Sequence, residues 1–102
     1  KYGLHAVAEL SYHKAHYAAA EIAKIPGYSV DTSRPFFHEF AVKCPRPVSE
    51  INEKLMLHGI IGGYDLSKDY LYLNDTMLIC VTEMNRKDEI DALIEVLKEA
   101  AQ

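Results

Sequence analysis

The sequence predicts an α/β fold of the α+β type, a small, largely antiparallel sheet covered by helices. Three observations predict it. Apolar residues keep helical spacing near both ends of the chain, two apolar runs of strand character lie between them, and 102 residues suit one hydrophobic core. With 49% hydrophobic and 25% charged residues, the chain has the balance of a folded globular protein, not of a disordered one.

The first helix is read from Leu4, Ala8, Ser11, Ala15, Ala18, Ile22 and Ile25, which form one stripe and are stopped by Pro26-Gly27. The middle of that stripe is serine and alanine, so a neighbouring element can approach closely there. A helix of about twenty residues is also long for so small a domain. Together these features predict a connector that packs against more protein, with Ala15 and Ala18 (beside Ala8 and Ser11) on an interface. Cut free, such a surface is expected to self-associate or to leave a large apolar patch.

Residues 36–43 alternate as a strand, with Phe36, His38, Phe40 and Val42 on one face. Pro47 suits the first turn of a second helix, whose inward stripe is Val48, Ile51, Leu55 and His58 and which Gly59 ends. Ile60-Ile61 reads as a short strand before a Gly62-Gly63 turn, and residues 70–73 as a short extended piece. Residues 76–82 are apolar on both faces over their middle, the pattern of a strand buried on both sides. Asn85 reads as the cap of a last helix with core positions Ile90, Leu93, Ile94 and Leu97. The strands at residues 37–42 and 77–81 are expected to share one sheet.

A net charge of −4 with scattered basic residues argues against binding a phosphate backbone, so no nucleic acid is expected. No apolar run approaches the ~20 residues of a bilayer span, and no membrane partner is expected. Cys44 and Cys80 lie 36 positions apart and read as separate thiols in a reducing, cytoplasmic setting. His13 and His16 share a helix face, but no further ligand joins them at a sensible spacing, so no metal is expected. Gly62 and Gly63 lack both a G-x-G-x-x-G and a Gly-Lys-Ser/Thr context, which points to close backbone approach and not to phosphate. With Tyr64 they are the candidate contact loop. No nucleophile–base pair and no cofactor lysine with a pocket can be assigned, so the residues predict no catalytic or cofactor-binding site of the chain's own.

Four phrases carry a resemblance. His13-Lys14-Ala15-His16-Tyr17, Arg34-Pro35-Phe36-Phe37-His38-Glu39-Phe40, Gly59-Ile60-Ile61-Gly62-Gly63-Tyr64 and Leu78-Ile79-Cys80-Val81-Thr82-Glu83 resemble, in order, the end of the first subunit of split glycine decarboxylase, the P-protein family of the glycine cleavage system. The following residues 87–93 resemble that family's last helix. The resemblance covers nearly the whole chain. It implies residues 1–102 of this sequence as the C-terminal small domain of a longer chain with the fold-type-I architecture of pyridoxal-phosphate enzymes, and the opening at Lys1 in helical sequence agrees. It further implies a second subunit carrying the lysine for pyridoxal phosphate, a transient partner in the lipoyl H-protein, and an isolated segment without activity. One departure matters: Thr76 and Met77 stand where many aminotransferases of this fold place a carboxylate-binding arginine.

Two other readings compete. One is the C-terminal domain of another pyridoxal-phosphate aminotransferase or lyase, against which the missing arginine counts. The other is a free-standing regulatory module of ferredoxin-like type, whose βαββαβ order differs from a chain that begins and ends in helix.

Overall fold

A computed structural model of the chain describes residues 2–31, 39–60, 62–70, 72–81 and 85–101, with the side chains of the first helix described from Tyr12 onward. The helices are α1 (Tyr2–Ala23), α2 (Val48–Leu57) and α3 (Lys87–Ala100), and the strands are β1 (Ser29–Val30), β2 (Glu39–Lys43), β3 (Tyr64–Asp65) and β4 (Thr76–Cys80). The four strands form one sheet in the order β1-β2-β4-β3, and each described pairing is antiparallel.

The sheet is centred on the pairing the sequence predicts. Phe40 lies opposite Ile79 and Val42 opposite Met77, all four pointing into the helical layer. Period-two alternation places them there, and the helices supply the other half of the core: Ala15, Ala18 and Ile22 from α1, Ile51 and Leu55 from α2, Ile94 and Leu97 from α3. The first and last helices are tied across the chain. Tyr17 donates to Asp91 Oδ1 at 2.6 Å, and Lys87 donates to Asp91 Oδ2 at 3.0 Å while lying 5.1 Å over the Tyr17 ring. Lys14 donates to the Asn85 carbonyl, and the buried Tyr28 hydroxyl donates to the Leu97 carbonyl at 2.7 Å.

Several local expectations are corrected. A short edge strand forms at Tyr64–Asp65, paired with β4 so that Tyr64 stands against Leu78 and Asp65 against Met77. Ile60 is half-buried outside any strand, and Ile61 lies outside the described residues. Where an extended piece is expected at residues 70–73, Tyr72 is in a turn and the Leu73 amide donates to the Tyr70 carbonyl at 2.9 Å, after a 3-10 turn at Leu66–Lys68; Leu71 lies outside the described residues. β4 is fully buried along its helix-facing side, at Met77 and Ile79, whereas burial on the opposite face fades from the buried Thr76 through the half-buried Leu78 to the exposed Cys80. His58 is exposed beyond the end of α2 rather than part of its inward stripe.

The caps also differ by one residue. Pro47 is the N-cap of α2 and not its first helical residue. Arg86, not Asn85, is the N-cap of α3, and its amide donates to Glu89 Oε1 at 2.7 Å. That bond satisfies one end of the helix start, as the carboxylate half of a capping box does. The expectations at Arg34, Pro35, Phe36, Phe37 and His38 fall outside the described residues.

Candidate functional site

Ala15 and Ala18 are not a free surface. Ala15 and Ala18 are both 0% exposed within the domain, closed over by the helix and sheet layers of this same chain. Alanine permits close approach, and the partner that approaches is internal; the expectation of an interface at Ala15 and Ala18 is therefore corrected. The side chains of Ala8 and Ser11 lie outside the described residues.

The contact loop fares differently. Gly62 and Gly63 are half-buried and Tyr64 is 52% exposed, with Tyr70 and Tyr72 exposed nearby in sequence. The glycines have an internal explanation. A Cβ on Gly62 would sit 1.9 Å from Asn52 Oδ1, and one on Gly63 would sit 2.7 Å from the Leu78 carbonyl oxygen. Only glycine lets the chain pass between α2 and β4 here. Beyond it the segment braces itself: Tyr64 donates through its hydroxyl to Asp69, and the Ser67 amide donates to Asp65 Oδ1 at 3.0 Å. The hydrogen bond to Asp69, more than its charge, raises the Tyr64 phenol above its ordinary range. Tyr64 therefore presents a neutral ring at physiological pH.

A cleft of about 480 Å³ opens where β3 begins, lined by Gly59, Gly63, Ile79, Cys80, Glu89 and Leu93 among others. Its one described charged side chain is the carboxylate of Glu89, and no lysine or arginine among the described residues lines it. That donor set does not fit a cofactor held through a phosphate and a lysine. Lys24, Lys87 and Lys98 are held in pairs with Glu21, Asp91 and Glu95 on the helix surfaces. At the start of β4, where an arginine would bind a substrate carboxylate, Met77 is fully buried and the Thr76 hydroxyl donates to the Asn74 carbonyl at 3.1 Å.

Among the described residues no three His, Cys, Asp or Glu side chains gather in a metal-binding arrangement. His16 instead stacks on Tyr12, ring centroids 4.0 Å apart, and Tyr12 meets His13 edge-on at 5.6 Å. No helix of the described residues is long and apolar enough to cross a membrane.

The two cysteines are free and differ in setting, Cys44 buried and Cys80 exposed. Burial first, then the Asp75 and Asp65 carboxylates, pushes the Cys44 thiol from 9.0 up to about 12. In the unfolded chain this thiol ionises near its ordinary value while the native one keeps its proton. Its stabilising contribution is therefore complete below pH 9.0 and is lost as pH rises toward about 12. Burial shifts the Tyr28 hydroxyl in the same direction. The urea midpoint is expected to fall between about pH 9 and about pH 12, by up to about 1.4 kcal/mol of stability per pH unit for Cys44, with Tyr28 adding to the loss above its ordinary value of 10.0. In the native protein iodoacetamide should label Cys80 and spare Cys44. A flat midpoint over that range, or equal labelling, contradicts the burial of Cys44.

No family model matches the chain. Curated relatives do. The chain is 51% identical over 100 residues to a probable glycine dehydrogenase (decarboxylating) subunit 1 of Thermomicrobium roseum, covering 98% of this chain and 22% of that protein. It is 48% identical over 94 residues to the protein of the same name from Desulfitobacterium hafniense, covering 92% and 21%. The chain thus spans about a fifth of the length of the curated relatives it matches. Among solved structures it is similar to glycine decarboxylase (P-protein) of the glycine cleavage system in inhibitor-bound form, with 32% identity, a TM-score of 0.87, and coverage of 96% of this chain and 22% of that one. A cystine C-S lyase shares the fold at 16% identity and a TM-score of 0.76, covering 93% and 24%, and another structure of that lyase carries glycine linked to a pyridoxal-phosphate cofactor. Along nearly all of its length, in sequence and in backbone, the chain is similar to a segment of glycine dehydrogenase (decarboxylating) subunit 1 proteins.

Proposed function

We propose that this chain is the C-terminal small domain of glycine decarboxylase subunit 1 and serves it as a structural and interface layer. The observation that carries the reading is the match of nearly the whole chain, in sequence and in backbone, to glycine dehydrogenase relatives of which it spans only a part. In this reading the parent complex decarboxylates glycine and passes the aminomethyl group to the lipoyl arm of the H-protein, which docks transiently. In the same reading its pyridoxal phosphate is carried by a lysine of the second subunit. A cytoplasmic setting agrees with two free cysteines.

What the segment contributes is a surface. Tyr64, Tyr70 and Tyr72 put aromatic area in water at 52%, 47% and 79% exposure. Aromatic side chains enrich and dominate protein interfaces because they bury much area for little lost rotamer freedom. The contact is assigned to the second subunit through Tyr64. The test is the full-length subunit with Tyr64→Ala, its association with subunit 2 followed by sedimentation and its glycine decarboxylation assayed in the reconstituted complex. Association should weaken about tenfold or more, the cost of a central aromatic, with the circular dichroism spectrum unchanged. Unaltered association and activity would remove Tyr64 from the interface.

A further inference from the structure

Asn52 stands on α2, half-buried, and its two amide atoms meet opposite fates. Nδ2 donates to the Gly63 carbonyl at 2.8 Å across eleven positions of sequence. Oδ1 is buried without a hydrogen-bond partner and lies 1.9 Å from where a Cβ on Gly62 would be. Exchanging the two atoms would set oxygen against the Gly63 oxygen, so the Gly63 carbonyl fixes the orientation and Oδ1 goes unpaired as a result. A polar group left unpaired in order to make this one bond marks a position held for the loop and not for the core.

What is held is the base of a self-braced unit. Tyr64, Asp65, Ser67 and Asp69 are tied to one another, and the Tyr70 amide donates back to the Leu66 carbonyl at 2.9 Å. That unit joins the sheet through the two residue pairs of β3 and β4. Asn52 ties its base to the helical layer. We infer that Asn52 is a positioning residue: acting through the Gly62-Gly63 backbone, it sets where the Tyr64 ring stands on the surface offered to the second subunit. The inference rests on the contact reading of Tyr64.

The test uses the full-length subunit with Asn52→Leu, which keeps the branched shape and removes the amide, and Asn52→Asp, which faces the Gly63 oxygen with another acceptor. Hydrogen exchange at the Gly63 and Tyr64 amides should quicken about tenfold in Asn52→Leu and further in Asn52→Asp, with the α3 amides of Ile94 and Leu97 unchanged. Affinity for subunit 2 should drop several-fold in both, less than in Tyr64→Ala. Exchange that quickens equally in α3 makes Asn52 a core residue and overturns the inference, and so does unchanged exchange at Gly63 and Tyr64. Where Tyr64→Ala weakens association and Asn52→Leu does not, the positioning role alone has failed. Where neither variant weakens it, the contact reading has failed and the inference falls with it.

Discussion

In Ala15→Gln the domain is expected to lose a large share of its stability, with the thermal midpoint lowered by about 15 °C or more. Ala15 is 0% exposed, and its neighbours on the same helix face, Ala18 and Ile22, are equally closed off. A longer side chain there overpacks the contact at a cost of about 1–3 kcal/mol, and its buried amide adds about 1–3 kcal/mol where no partner is found. Taken together, about 3 kcal/mol is a large share of the about 5–15 kcal/mol that holds an ordinary domain, and each kcal/mol is worth about 4–8 °C at this size. Ala20→Gln, on the exposed side of α1, is the control and should stay within about 0.5 kcal/mol of the parent. Melting curves followed by circular dichroism decide it: an Ala15→Gln protein that melts with the parent contradicts the closed packing of α1.

Gly63→Ala is expected to cost about 3 kcal/mol, the upper end of what overpacking costs. Its added methyl meets the Leu78 carbonyl oxygen at 2.7 Å, the Leu78 carbonyl carbon at 3.2 Å and Met77 Cγ at 3.2 Å. Backbone in a paired strand cannot step aside, so β3 must part from β4. Gly62→Ala meets a nearer atom, but that atom is the end of the Asn52 side chain, which can rotate away once its bond to Gly63 is given up. The order of damage should therefore be Gly63→Ala above Gly62→Ala, the reverse of the order of distances. Urea unfolding of the two variants measures it, and a Gly62→Ala protein weaker than Gly63→Ala would mean that the strand yields more easily than the side chain.

The sheet and its helical cover were legible because periodicity reports burial directly. Phe40 and Val42 alternate, Ile51 and Leu55 recur at helical spacing, and both patterns point at the same core. Val96 was missed because it lies off the Ile90–Ile94–Leu97 line yet is buried all the same. β1 and β3, at two residues each, are too short to carry a period and exist only through their neighbours. The glycine pair was recognisable as a place of close approach, but which surface approaches is a tertiary fact, and here it is α2 on one side and β4 on the other. The same limit governs the alanine stripe: small residues announce contact without naming the contacting element. Asn52 gave no signal at all, since an asparagine on a helix is ordinary until its acceptor is known.

The bond from the Tyr28 hydroxyl to the Leu97 carbonyl, and the Tyr17–Asp91 pair beside it, join residues some seventy positions apart. During synthesis α1 leaves the ribosome long before α3 exists, so its apolar side has no lid while the intervening sheet is being made. Folding of this segment must therefore wait for its last helix, and loop-closure entropy makes that final docking a slow step. Until then the nascent chain carries a sticky helix without its cover, the situation in which chaperones are recruited and neighbouring copies entangle.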